Sequence, residues 1–232
     1  MNGKKTVVIH QPDFVPYLGF FHRFLHADLY IVLDHVQFAP RNWTHRDKIK
    51  TPKGEDWLTV SVKKAPRDTA INQAELATQT DWAADHLNLI TQNYKHAPFF
   101  DEIMPHVHRL YAHLPPLLSE FTMRSIHMLL ALLDINIPIL YSGNMNPRGS
   151  RNALLIDLLK KNGATHYLCG SGSRDYLQMA DFEAAGITVV WQAFNHPVYP
   201  QLYGEFIPFL STLDALFNCG IKGTQKLLKE AA

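Results

Sequence analysis

Three polar side chains with acid–base chemistry follow apolar runs of this sequence within a few residues. They are His10, Asp34 and His196. Imidazole titrates near neutral pH and a carboxylate can take or give a proton, so these groups suit general acid–base catalysis. We predict His10, His196 and Asp34 as catalytic residues. The alternative is that they only cap a strand or hold a loop.

The segment 41–53 concentrates positive charge. It holds five Lys or Arg residues against a single acid, Asp47, although the whole chain carries a formal charge of only +1. The arginine guanidinium is a planar group that suits phosphate or carboxylate, and Trp43 could stack on a base or a sugar. The segment therefore predicts a site for an anionic small molecule. The alternative is a solvated hairpin with ordinary surface charges.

The glycine-containing loop 170–172 follows another apolar run, 165–169. Such a loop lets the backbone approach a phosphate, but the Lys-Ser/Thr of a Walker motif and the third glycine of a dinucleotide-binding motif are both missing. The loop predicts backbone contact with a ligand or, alternatively, an ordinary tight turn. No motif identifies a cofactor, so the cofactor stays unknown. The thirteen histidines show no zinc-type spacing, and no metal site is predicted.

Apolar runs alternate with helical patterns in the order expected of an α/β protein. A strand at 6–9, a helix at 17–26 and a strand at 29–33 form a βαβ unit, which requires parallel strands. Further strands are predicted at 36–38, 57–62, 137–141, 165–169 and 187–191, and further helices at 80–93, 99–114, 117–134, 152–161, 180–185 and 206–217. We predict one domain over residues 1–232, an open and mostly parallel sheet with flanking helices, Rossmann-like or nucleotidylyltransferase-like. A helical insertion is predicted at roughly 78–135.

Open parallel sheets bind ligands beyond the carboxyl ends of the strands, where the strand order reverses. The segments that follow the predicted strands should therefore converge on one site. We predict a small-molecule substrate that carries phosphate or carboxylate. The predicted substrate-binding residues are Gln11, Tyr17, Gln37, Arg41, Trp43, Arg46, Lys48, Gly170, Ser171, Gly172 and Tyr176.

The composition indicates which partners and which cellular compartment to expect. Lys and Arg number 22 against 21 acids, whereas a dedicated DNA or RNA binder usually has a clear basic excess. Cys169 and Cys219 lie far apart and form no CxxC motif, which favours a reducing compartment. The apolar runs 7–9 and 128–133 are too short for a signal peptide or for the roughly 20 residues of a membrane span. We predict a cytoplasmic bacterial protein that binds neither nucleic acid nor membrane, and leave its oligomeric state open.

Two long stretches of the sequence resemble the WbqC-like protein family. The first, IHQPDFVPYLGFFHRFLHADLYIVLDHVQFAPRNWTHRDKIKT, has a strand ending in His-Gln-Pro, then Pro-x-x-Gly-Phe-Phe and Arg-x-Trp-x-x-Arg elements. The second, THYLCGSGSRDYL with WQAFNHPVYPQLYGEFIPFLSTLDALFNCG, resembles the closing segment of the family. The matching polar positions are His10, Gln11, Asp34, Gln37, Arg41, Arg46, Gly170, Tyr176, His196, Asp214 and Asn218.

The resemblance implies a role in bacterial O-antigen (lipopolysaccharide) or other surface-glycan clusters, or in secondary-metabolite clusters. It also implies a transfer step on an activated sugar or acyl group. A weaker likeness to nucleotidylyltransferase-type enzymes lacks their His-x-Gly-His signature, which would fall on residues 17–20. We therefore predict a transferase that binds a nucleotide sugar or an acyl donor. The alternative is a non-catalytic binding or scaffold protein of a glycan-assembly complex, whose polar segments would be scattered over the surface.

Overall fold

A parallel β-sheet forms the centre of the protein, seen here in a computed structural model that describes residues 3–231. The strands are, in chain order, β1 Thr6–His10, β2 Leu29–Val32, β3 Arg46–Thr51, β4 Gly54–Thr59, β5 Ile139–Tyr141, β6 His166–Cys169 and β7 Thr188–Trp191. The sheet order is β5-β2-β1-β6-β7, with every neighbouring pair parallel. The predicted α/β fold with a mostly parallel sheet is confirmed.

Helices cover both faces of this sheet. They are α1 Leu18–His22, α2 Trp82–Tyr94, α3 Phe100–Tyr111, α4 Leu118–Leu132, α5 Arg151–Lys161, α6 Met179–Ala184 and α7 Thr212–Glu230, the last kinked at Gly220 with φ 69°. Side chains of α2, α3, α4 and α7 share one hydrophobic cluster, and side chains of α5 and α6 share another. Because β1 lies between the clusters, Val7 and Val8 are both fully buried, which explains its continuous apolar run.

Helices α2 to α4 fall within the range 78–135, which we predict to be an insertion. The closing helix was predicted at 206–217, and this start is wrong. The helix begins at Thr212, because the Ser211 hydroxyl caps it by accepting a hydrogen bond from the Leu213 amide at 3.3 Å. Across residues 3–231, no helix combines the length and the apolar character that crossing a membrane requires.

The basic segment forms an antiparallel hairpin of β3 and β4, which lies outside the parallel sheet. The prediction of strands at 36–38 and 57–62 around this segment is wrong in its boundaries. Residues 36–38 make one isolated bridge, between Gln37 and Ala70, because their backbone groups bond to the turn at 69–71. The basic residues themselves form β3, whose alternate side chains Asp47 and Ile49 are buried.

Candidate functional site

The chain order of the sheet reverses between β1 and β6. Strands β2 and β5 lie on one side of β1, and β6 and β7 lie on the other. The carboxyl ends of β1 and β6 therefore mark the place where open α/β sheets bind ligands. Five polar side chains influence one another's ionisation at this edge, and we call them the switch-point cluster. Its members are His10, Asp13, Tyr17, Arg23 and Asp47.

Arg23 is the positive charge of the switch-point cluster. It follows α1 in a short 3-10 turn and is only 4% exposed. Its guanidinium carbon lies 5.2 Å from the Phe20 ring centroid, and its Nη1 lies 4.0 Å from the place that a Cβ on Gly170 would occupy. Its buried Nε has no hydrogen-bond partner, and no carboxylate within residues 3–231 forms an ion pair with it. A buried charge without a counter-ion is costly, so this arginine suits an anionic ligand.

His10 ends β1 as a neutral imidazole. Its Nδ1 lies 2.9 Å from the backbone oxygen of Gln11, which can only accept, so the Nδ1 proton is used there and Nε2 is left as an acceptor. Burial, with a smaller contribution from the charge of Arg23, lowers the pKa of His10 from 6.5 to about 3. At neutral pH the ring is therefore a hydrogen-bond acceptor at Nε2 and a weak base.

Asp13 lies beside His10 and has an unusual acidity. Its Oδ2 is 3.6 Å from His10 Nδ1, and its side chain is 13% exposed. Burial raises the pKa of Asp13 to about 7, and the nearby Arg23 charge partly opposes this rise. A carboxyl group with this pKa can give or take a proton near neutral pH.

Asp47 and Tyr17 close the switch-point cluster from the hairpin and from the start of α1. Asp47 is 2% exposed, and its Oδ1 accepts a hydrogen bond from the Lys48 amide at 2.6 Å. Burial, and secondarily the carboxyl of Asp13, raise the pKa of Asp47 well above its ordinary value. The Tyr17 ring packs against Phe194 and Phe209 at centroid distances of 6.0 and 5.8 Å. Burial also raises the pKa of Tyr17.

Of the other predicted residues, Gln11 and Gly170 lie at the same edge. Gln11 Oε1 accepts hydrogen bonds from Thr44 Oγ1 at 3.2 Å and from Asn42 Nδ2 at 3.4 Å, which ties the loop before β3 to the end of β1. Gly170 follows β6 next to Arg23. Ser171 and Gly172 turn outward to solvent.

Tyr176, predicted on the same loop, lies in solvent. Its side chain is 66% exposed, and its hydroxyl donates to Ser173 Oγ at 3.0 Å.

Asp34 holds the ends of β2 and β5 together. Its Oδ1 accepts hydrogen bonds from Ser142 Oγ at 2.9 Å and from the Gly143 amide at 2.8 Å. Asn72 Nδ2 lies 3.5 Å from its Oδ2. Because these donors already use the carboxylate, Asp34 is placed to position the neighbouring loops.

His196 lies among aromatic side chains beside the switch-point cluster. The ring centroids of Phe194 and Phe209 lie 5.7 and 5.0 Å from its own. The same two phenylalanines contact Tyr17, a member of the cluster. Its Nδ1 is 2.9 Å from the Pro197 oxygen, and burial lowers its pKa.

The remaining predicted residues belong to the hairpin or to the segment before it. Gln37 Nε2 donates to the Arg67 oxygen at 2.6 Å, and Arg41 is exposed with φ 64°. Arg46 stacks over Trp57 with its guanidinium carbon 4.0 Å from the ring centroid. Lys48 also lies over this ring, at 5.0 Å, and pairs with Glu55. We call Trp43, Arg46, Lys48 and Trp57 the hairpin face.

The hairpin face and Asp47 lie on opposite sides of β3. Arg46 and Lys48 flank Asp47 in the strand, and successive strand residues point to opposite faces. Trp57 is the cross-strand partner of Lys48, and Trp43 packs on Trp57 at a centroid distance of 5.5 Å. Trp43 is 44% exposed. The structure thus divides the predicted binding residues between two surfaces.

Sequence reasoning missed Arg23, Asp13 and Asp47. For Arg23 a signal existed, because it stands between Phe21 and Phe24 in a short helical segment that joins two buried strands. An arginine in that setting has little chance of reaching solvent. Within the part of the chain that the structure describes, no group of three His, Cys, Asp or Glu side chains is arranged to hold a metal ion.

Fold and site together define an α/β protein with a polar, partly ionised cluster at the switch point of a parallel sheet. The chain belongs to the WbqC-like protein family, whose model matches residues 11–226, which confirms the resemblance. It is also similar to the uncharacterized protein Rv1507c of Mycobacterium tuberculosis, with 30% identity over 225 residues that cover 96% of this chain and 97% of that protein. No solved structure matches the chain.

Proposed function

We propose that this protein is a transferase that binds an anionic, activated small molecule at the switch-point cluster. The observation that carries the proposal is Arg23, a buried guanidinium with no carboxylate paired to it in the described chain. Its position between the ends of β1 and β6 is the one that α/β folds use for ligands. A phosphate or carboxylate of the substrate would supply the missing counter-ion.

The neighbouring groups suggest how a second substrate could be held. His10 stays neutral and presents Nε2 as an acceptor, so it can orient a hydroxyl group of an acceptor molecule. Its low pKa makes it a poor base, so we assign it orientation and not proton transfer. The backbone of Gly170 allows a ligand to approach Arg23 without meeting a side chain.

Family membership favours a donor of the kind used in surface-glycan or secondary-metabolite biosynthesis, either a nucleotide sugar or an acyl donor. Both carry phosphate or carboxylate groups that Arg23 could bind. A scaffold protein would have no need of an uncompensated buried arginine beside a carboxyl group with a pKa of about 7. This pair of features therefore supports an enzyme over a scaffold.

A ligand-stabilisation experiment tests the binding half of the proposal. Thermal unfolding is followed with pyrophosphate, nucleoside diphosphates, nucleotide sugars, acyl phosphates and acyl thioesters. A ligand at about a hundred times its dissociation constant should stabilise the wild type by about 2.7 kcal/mol. Arg23→Met should abolish the shift, whereas Arg41→Met, which removes an exposed guanidinium, should retain it.

The result that contradicts the proposal is a stability shift that Arg23→Met retains, or the absence of a stability shift with every ligand class.

The proposed transfer reaction is tested by phosphorus NMR of the donor that stabilises the protein. A transferase should release the leaving group slowly to water even without its acceptor, and a scaffold should leave the donor intact.

A further inference from the structure

The carboxyl of Asp13 faces Arg23 without pairing with it. No residue that the structure describes donates a hydrogen bond to Asp13. His10 Nδ1 lies 3.6 Å from its Oδ2, but the proton of this nitrogen is donated to the Gln11 oxygen. Arg23 is close enough to influence the ionisation of Asp13, yet the two form no ion pair. The cluster thus holds a positive group and an ionisable carboxyl that interact electrostatically without forming an ion pair.

Burial is the main cause of the raised pKa of Asp13, and five ionisable groups from different parts of the fold surround its carboxyl. They are His10 at the end of β1, Tyr17 before α1, Arg23 after α1, Tyr30 on β2 and Asp47 on β3. The two tyrosines have raised pKa values and His10 a lowered one, so all three are neutral near pH 7. Among these groups, Arg23 is the one that favours the ionised form of Asp13.

We propose that an anion bound at Arg23 enters the switch-point cluster together with one proton, which is taken up by Asp13. This inference rests on the proposed function, because it requires an anion at Arg23. A bound anion would neutralise the charge that favours the carboxylate and would add a negative charge beside it. Both effects favour protonated Asp13.

The proton has a use in a transfer reaction. It moves from solvent to an Asp13 carboxylate oxygen when the anionic donor binds. The oxygen of the acceptor hydroxyl forms a bond to the transferred group and its proton passes to solvent. The bond to the leaving group breaks, its electron pair stays on the leaving-group oxygen, and the Asp13 proton joins that oxygen. Asp13 returns to the carboxylate, so the proton gained on binding leaves with the product.

The pH dependence of sulfate binding tests the proposal directly, because sulfate keeps a fixed double charge near neutral pH. The apo pKa of Asp13 is about 7, so proton uptake becomes necessary above that pH. Sulfate affinity of the wild type should therefore fall about tenfold per pH unit above pH 7. In Asp13→Asn the affinity should be independent of pH and should exceed that of the wild type at pH 8.

Asp28→Asn is the control, since Asp28 is a carboxylate at the opposite, amino-terminal end of β1 and β2, and its Oδ2 already accepts a hydrogen bond from the Thr6 amide at 2.7 Å. In this variant the sulfate affinity should fall with pH as steeply as in the wild type. A wild-type affinity that does not vary with pH, or a slope that survives Asp13→Asn, overturns the proton coupling and leaves the proposed binding site intact. Sulfate that fails to bind, or that binds equally well to Arg23→Met, overturns the proposed function and the coupling with it.

Discussion

The switch-point cluster and the hairpin face each contain an arginine whose buried Nε lacks a hydrogen-bond partner in the described chain. They differ in what surrounds that arginine. Arg46 rests on Trp57 at 4.0 Å, and the adjacent Lys48 pairs with Glu55. Arg23 is 4% exposed and faces a carboxyl group that does not pair with it. A close ring contact and an ion pair compensate the charges of the hairpin face. Arg23 has the Phe20 ring at 5.2 Å and no ion pair in the described chain, which is why we propose a ligand there.

This difference shows that the density of charge along a sequence is a poor guide to a binding site. The segment 41–53 contains five basic residues, but Lys48 and Lys50 already bind other residues of the protein. Lys50 is 1% exposed and donates to Gln201 Oε1 at 3.1 Å. A single buried charge without an ion pair at the switch point is a better indicator of a binding site than several charges that already have partners.

The largest difference between the two regions should appear in the pH dependence of folding. Because the folded-state pKa of Asp13 is raised from 3.8 to about 7, the folded protein binds the proton more tightly than the unfolded chain. The contribution of Asp13 to the free energy of unfolding is therefore greatest below pH 4 and is lost as the pH rises to 7. The loss should amount to about 4 kcal/mol at most, from roughly 1.4 kcal/mol per pKa unit.

Chemical unfolding at pH 4 and pH 8 measures this loss. Asp13→Asn should gain stability relative to the wild type as the pH rises. Asp56→Asn, which changes an exposed carboxylate of the hairpin, should follow the wild type at both pH values. Parallel curves for the wild type and Asp13→Asn would contradict the raised pKa of Asp13 on which the comparison depends.

The next largest effect should be on the unfolding free energy, which two arginine substitutions should change in opposite directions. Arg23→Met removes a buried, unpaired charge and keeps a linear apolar side chain, so the ligand-free protein should gain about 1–3 kcal/mol in unfolding free energy. Arg46→Met removes a cation that stacks on Trp57, so it should lose about 0.5–1 kcal/mol. Denaturant unfolding of both variants checks the signs. A loss for Arg23→Met would mean that its charge is compensated within the fold.

The smallest effect concerns the two glycines of the loop after β6. A Cβ on Gly170 would lie 4.0 Å from Arg23 Nη1 and 3.9 Å from Gln192 Oε1, which is ordinary contact. Gly170→Ala should therefore leave stability unchanged but narrow the approach to the guanidinium, and sulfate affinity should fall about tenfold, or about 1.4 kcal/mol. For Gly172 nothing lies within 4 Å of that position, so Gly172→Ala should bind sulfate like the wild type. Equal affinities for the two variants would place the anion away from Gly170.

The sequence predicts the centre of the sheet well, because β1, β2 and β6 are buried on both faces and therefore appear as continuous apolar runs. It also predicts that His10, Gln11 and Gly170 lie at one edge, since parallel strands bring their carboxyl ends together. It does not predict the hairpin strand β3, whose basic side chains hide the alternation of buried Asp47 and Ile49. Burial of charged groups depends on tertiary packing, so Asp47 could not be identified from local pattern alone, whereas the aromatic neighbours of Arg23 gave a local signal of its burial.

The buried Gly19 illustrates the same limit. Gly19 lies in α1, where a glycine costs helix stability, so the sequence indicates a close approach at that point. The approaching group is the Tyr17 ring, because a Cβ on Gly19 would lie 2.3 Å from its Cε2. The pattern therefore indicates that something approaches Gly19, and only the fold identifies it.

Diffraction from crystals grown with sulfate would test the central claim most directly. The account predicts a sulfate oxygen about 2.8 Å from a guanidinium nitrogen of Arg23, between the carboxyl ends of β1 and β6. Sulfate bound to Arg46 and Lys48 on the hairpin face, with Arg23 turned to form an ion pair with Asp13, would contradict it.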